Sequence, residues 1–262
     1  MAKISINKTT VKRMVLNVFY PLLALAIVLA VWAIAAKAYD NKLVLPAPDT
    51  VLVALFSLGK SGGFWQSVGT TLLRTLICFV WSFALALLFA TLAGLFNPLH
   101  RVLAPIVTIL RAAPTVTVIL LLYAFMANVT LAKVVGFLIA FPIMYSAFYG
   151  AIVGVDKDLL KMAKLYKVRP IDRIRFIYLP SIANCLFDTN KATLSLTLKV
   201  IIASEILTNV SLSIGGKFQA AYAAPEINYL FAWTLIAIIF SFVLEAVVAI
   251  LKKIWEVARC RT

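Results

Sequence analysis

The sequence predicts an all-α, polytopic membrane protein, and three observations carry that prediction. Of its 262 residues, 63% are apolar and only 13% are charged, against about 45–50% and about 25% in soluble domains. The apolar residues gather in runs close to the ~20 residues that cross a bilayer as a helix. No loop between the runs is long enough to fold by itself, so residues 1–262 read as one transmembrane domain. Disorder, a coiled coil and an ordinary soluble enzyme are excluded.

Six runs are expected to span: Phe19–Ala36, Ser67–Leu95, Pro105–Ala127, Lys133–Val153, Ile182–Leu207 and Leu230–Leu251. The first follows a polar tail, residues 1–18, and no small-residue cleavage site follows it, so it reads as a retained helix. Pro46 and Pro48 then make a turn, and Thr50–Leu58 reads as a short amphipathic helix at the membrane surface. The fifth run is the most polar. Its Asp188 and Lys191, at i and i+3, are expected to pair, whereas Lys199 and Glu205 are six residues apart, too far for a one-turn pair. Charge at membrane depth faces a cavity or another charge. Lys199, Glu205, Ser195 and Asp188 are therefore the candidates for lining a polar path.

The net charge of +15 comes from 25 Lys and Arg against 10 Asp and Glu. No compact basic domain exists to hold nucleic acid, so the excess reads as loop charge. With Arg111 and Lys133 counted toward the side of the nearest loop, seventeen cations fall on the side of the termini, five on the other and three within spans. The positive-inside rule puts both termini, and the segment 156–180, in the cytoplasm.

Catalytic motifs are missing. Residues Ala54–Ser61 fit a loosened P-loop, but a surface helix precedes them where a strand is needed. His100 reads as a solvated loop residue. Cys78, Cys185 and Cys260 show no metal or disulfide spacing and read as free thiols. No metal site or bound cofactor is expected.

The segment Asp156–Pro180 is the most informative. Asp156 or Asp158 can cap a helix. Leu159, Met162, Ala163 and Tyr166 then repeat at i, i+3, i+4 and i+7, with Lys157, Lys161 and Lys164 opposite. Pro170 breaks this helix and opens a second, striped by Ile171, Ile174 and Tyr178. Two amphipathic helices hinged at Pro170 suit either anionic lipid or a docked protein.

This stretch resembles the cytoplasmic coupling loop of ABC-importer permeases, with its E-A-A, a Gly four residues on and a closing Leu-Pro. Aligned on Asp158-Leu159-Leu160 and Leu179-Pro180, Ala163 matches the second Ala; Lys161, Met162 and Lys167 replace the Glu, the first Ala and the Gly. Leu45-Pro46-Ala47-Pro48, Trp65-Gln66 to Arg74, Arg111-Ala112-Ala113-Pro114 and Ser204-Glu205-Ile206 are similar to segments of the nitrate/sulfonate/taurine-type permeases. The resemblance implies a type I ABC-importer permease in a bacterial inner membrane. It further implies a second permease copy, separate ATPase subunits that bind the ATP and magnesium, and a periplasmic or lipid-anchored solute-binding protein. The ATPase would dock on Asp158, Leu159, Lys161, Met162, Ala163, Lys164, Tyr166, Lys167 and Pro170. The solute would be a small organic molecule or anion, such as a sulfonate, nitrate, a thiamine precursor or a riboflavin-like compound. The alternative is a self-sufficient secondary transporter or channel, against which no inverted repeat with paired broken helices is visible.

Overall fold

A computed structural model describes residues 8–39, 41, 44–126 and 128–259, without the side chains of 8–18 and 128. Residues 1–7 of the expected tail, Lys42, Ala127 and Cys260 lie outside the described residues. All regular structure among the described residues is helical: α1 (Lys8–Tyr39), α2 (Pro48–Gly59), α3 (Gly62–Leu95), α4 (Asn97–Ala112), α5 (Thr115–Tyr123), α6 (Asn128–Val153), α7 (Lys157–Leu165), α8 (Pro170–Arg173), α9 (Leu179–Leu207), α10 (Ile214–Ala223) and α11 (Ile227–Arg259), with one π-helical turn at Ile174–Tyr178.

Four helices (α1 from Phe19, α3, α6 and α11) are long and apolar enough to span a membrane, and the bent pair α4–α5 makes a fifth. Six were expected. The difference is α9, which at 29 residues is about 43 Å long but carries Asp188, Lys191, Lys199 and Glu205. It is nonetheless the central helix, packed by α3, α6, α10 and α11.

The expected third run also differs from its prediction. It breaks at Ala113–Pro114, where α4 and α5 meet at 94°. Pro114 has no N–H to continue α4 and drives Ala113 into an extended conformation (ψ 129°).

Close packing comes from small residues. On α3, Ser67, Thr71, Thr75, Cys78, Ser82, Ala86, Ala90 and Ala93 recur at three- and four-residue steps and are all buried. On α6, a methyl at Gly136 would stand 2.8 Å from the Cys78 sulfur, so the two helices meet where neither has bulk. Cys78 and Cys185 are free thiols. α1 is peripheral: its apolar side chains are mostly exposed, and Trp32 ties it inward by donating to the Pro46 carbonyl (3.1 Å) and stacking on Phe231. α2, as expected, is a short helix. Its Val51 and Ala54 are buried against Ala232 of α11.

His100 corrects its prediction. It lies within α4 and is half-buried. Its ring stacks on Tyr149 at 3.7 Å, and its Nδ1 is 3.0 Å from the Tyr145 hydroxyl. Two aromatic partners at i and i+4 on α6 supply what a loop would have left to water.

Candidate functional sites

The segment after α6 forms an elbow. Asp156 caps α7, accepting from the Asp158 amide at 2.8 Å. The helix closes with two bonds, Lys167 N–H to the Lys164 carbonyl (3.1 Å) and Val168 N–H to the Ala163 carbonyl (2.9 Å), the Schellman pattern. That pattern needs a left-handed residue, and Lys167 has φ 52°. This is the position where the resembling family carries Gly, which enters that region without steric cost. The Arg173 guanidinium then donates to the Val168 carbonyl (2.9 Å) and holds the turn before α8.

The second amphipathic helix is not separate. α8 runs through the π-helical turn into α9, and the Leu179 N–H reaches back five residues to the Ile174 carbonyl. Pro180 explains the wider turn: it lacks an N–H, and its ring would crowd the carbonyl one turn back.

The expected apolar face of α7 is divided. Ala163 is buried at 3% exposure, while Leu159, Met162 and Tyr166 are 41%, 51% and 73% exposed. Lys161 pairs with Asp158 of its own helix at 2.8 Å, both exposed, so the bond contributes about 0.5 kcal/mol at most. Lys164, Lys167 and Pro170 are also open.

On α9 the candidate path residues separate. Glu205 is fully buried and ion-paired with Arg74 of α3 at 2.7 Å. The Thr71 hydroxyl donates to the Glu205 carboxylate (2.9 Å) and accepts from the Ile214 N–H (3.0 Å), and the Gly215 N–H donates to the same carboxylate (3.3 Å). Three helices (α3, α9 and α10) thus converge on one carboxylate. A Cβ at Gly215 would fall 2.4 Å from that of Glu205, so only glycine admits this approach. Glu205 is a packing lock with no open surface.

Asp188 does not pair with Lys191. It binds Lys252 of α11 at 2.9 Å, and Lys191 stands 3.9 Å from Glu245 of α11. The neighbouring helix supplies the opposite charge for both residues. Ser195 is buried, and its hydroxyl has no partner. Lys199 is exposed. Lys199 and Glu205 are not brought together.

The Arg74 partner and all of α10 were missed from the sequence. Their signals were an arginine inside an apolar run, costly unless paired, and the Gly215-Gly216 doublet after Ser213, whose hydroxyl accepts from the Gly216 N–H and caps α10.

Comparison with known proteins agrees with this geometry. The profile of the family described as "Binding-protein-dependent transport system inner membrane component" matches residues 84–256. A putative aliphatic sulfonates transport permease protein, SsuC of Escherichia coli, is 27% identical over 205 residues, 76% of each chain. The inward-facing MetNI methionine ABC transporter shares the fold, with a TM-score of 0.61 at 16% identity, over 71% of this chain and 93% of that one. With helical spans, a capped elbow between α6 and α9 and a family match over two-thirds of its length, the chain belongs to the binding-protein-dependent transport inner membrane components, the permeases of ABC importers.

Proposed function

We propose that this permease forms the translocation path of an ATP-driven importer and is driven by a separate ABC ATPase docked on residues 156–180. The observation that carries the reading is the α7 ridge. Leu159, Met162 and Tyr166 stand exposed on a helix whose two ends are capped and whose elbow Arg173 fixes. A rigid, apolar, solvent-facing ridge suits a protein groove. The ATP and magnesium sit in that ATPase. Lys161 and Lys167, where Glu and Gly are usual, suit an acidic rim on it. Two copies of the chain enclose the path, and a periplasmic or lipid-anchored binding protein delivers the solute. The cation bias supports a cytoplasmic position for the termini and the elbow, against the inner-membrane lipid surface. ATP binding drives the cycle by favouring one of two permease conformations, which requires differential contact with the elbow. The solute is a small organic molecule or anion, among which a sulfonate is favoured by the 27%-identical relative.

Met162→Glu tests the reading without touching the buried Ala163. It is expected to strip the ATPase from the purified complex and to abolish ATP-driven uptake, with the permease still folded. Unchanged ATPase content, or uptake driven by an ion gradient without ATP, would overturn it.

A further inference from the structure

The charges along α9 are accounted for within the chain, with one exception. Asp188 has Lys252, Lys191 has Glu245 and Glu205 has Arg74. Lys199 has no hydrogen bond or ion pair among the described residues, and it is exposed.

Its depth makes that costly. Ile201, two residues on, packs against Cys78, which lies halfway along α3. Lys199 is twenty residues, about 30 Å, from the first residue of α9 and eight, about 12 Å, from the last. Side chains lean toward the N-terminus of their helix, so its stem points away from the nearer end. Lys133 makes the contrast: it sits five residues inside the start of α6 and leans toward that end, so its ammonium can reach the interface. Lys199 cannot escape as readily.

Among the described residues, no acidic side chain of a second copy is left to supply the missing anion. Asp188, Glu205 and Glu245 already hold cations, and the other acidic residues described, Asp49, Asp156, Asp158, Asp172, Glu226 and Glu256, lie at the ends of the bundle. Ser195 lies one turn from Lys199 in the direction its stem leans, buried with an unpartnered hydroxyl. We infer that Lys199 lines the translocation path and binds the anionic group of the solute (a sulfonate, carboxylate or phosphate), with Ser195 as a neighbouring donor. This rests on the importer reading above, and it makes Lys199 a specificity residue.

The test measures the potential at the site directly. Leu196→Cys, one turn away and 37% exposed, is made in the full complex with ATPase, after Cys78, Cys185 and Cys260 are replaced by Ala. It is reacted with anionic sulfonatoethyl and cationic trimethylammonioethyl methanethiosulfonate. The anionic reagent is expected to react about threefold or more faster. Adding Lys199→Met should erase that preference, and Lys199→Arg should keep it. Equal rates with Lys199 present, or labelling by N-ethylmaleimide alone, would overturn the inference. So would a preference that is present in neutral phosphatidylcholine vesicles and lost in vesicles containing phosphatidylglycerol, because a lipid headgroup would then hold the ammonium. A complex that retains its ATPase and hydrolyses ATP while failing this test refutes the role of Lys199 alone; absence of an ATPase from the unsubstituted complex refutes the coupling reading.

Discussion

Arg74→Met isolates the electrostatic cost of the corner where α3, α9 and α10 meet. Glu205 has no exposed surface and Arg74 only 12%. Once the guanidinium is gone, the carboxylate keeps the Thr71 hydroxyl and the Gly215 amide but has no counter-charge. Breaking a buried pair from one side costs about 3–5 kcal/mol. Glu205→Leu should cost less, about 2 kcal/mol, because the partly exposed Arg74 can turn toward water. The double variant should cost less than the sum, since apolar replacement of a whole buried pair is often close to neutral. With the single changes summing to about 5–7 kcal/mol, the coupling energy should reach at least the ~3 kcal/mol at the upper end for contacting residues. Unfolding in mixed micelles titrated with dodecyl sulfate, followed by fluorescence, reads all three variants. Trp233, buried against Phe64 in the same core, reports there. A cost below about 1 kcal/mol for Arg74→Met, or additivity of the two changes, would refute the argument.

Two further outcomes follow from backbone geometry. Lys167→Gly relieves a left-handed lysine and should stabilise the α7 terminus by about 0.5–1 kcal/mol, seen as a two- to fivefold slowing, roughly, of amide exchange at Val168. Gly215→Ala drives a methyl into the Glu205 side chain and the Ile202 carbonyl, 2.6 Å away. It should destabilise by about 1–3 kcal/mol, read by the same micelle titration, with a neutral result contradicting the packing described.

What the sequence disclosed was what is periodic or local. Apolar runs located α1, α3, α6 and α11, the i, i+3, i+4 pattern located α7, and Pro170 marked its elbow. The α4–α5 break was written in Pro114, yet hydropathy averages across such a residue and returned one run. Pairing was the least legible. Asp188–Lys252 and Arg74–Glu205 span 64 and 131 residues, and nothing in a linear pattern ranks a distant partner above Lys191, three residues away. Exposure within an apolar stripe was equally hidden. Ala163 and Met162 are neighbours on α7, but only the structure shows that one is buried and the other open.

The ties along α9 differ in strength, and that difference fixes how the helix can move. Toward the elbow, Lys252–Asp188 is exposed at 26% and 66%, and Lys191–Glu245 spans 3.9 Å with 45% and 31% exposure. Pairs of that kind contribute about 0–1 kcal/mol each. At the other end the buried Arg74–Glu205 pair resists separation by several times as much. A force applied at α7 would cross the bonded elbow at 166–169 and pass through α8 and the π-helical turn of Ile174–Tyr178 directly into α9. Such a force would loosen the α9–α11 ion pairs before the Arg74–Glu205 pair, so the proposed coupling predicts a swing of α9 about its Glu205 end. Lys199 lies six residues from that pivot, about 9 Å, and its displacement is correspondingly smaller than that of the elbow. On the proposed roles, Lys199 near the fixed end and the α7 ridge at the free end would give a large motion where the ATPase docks and a small one where the solute is held.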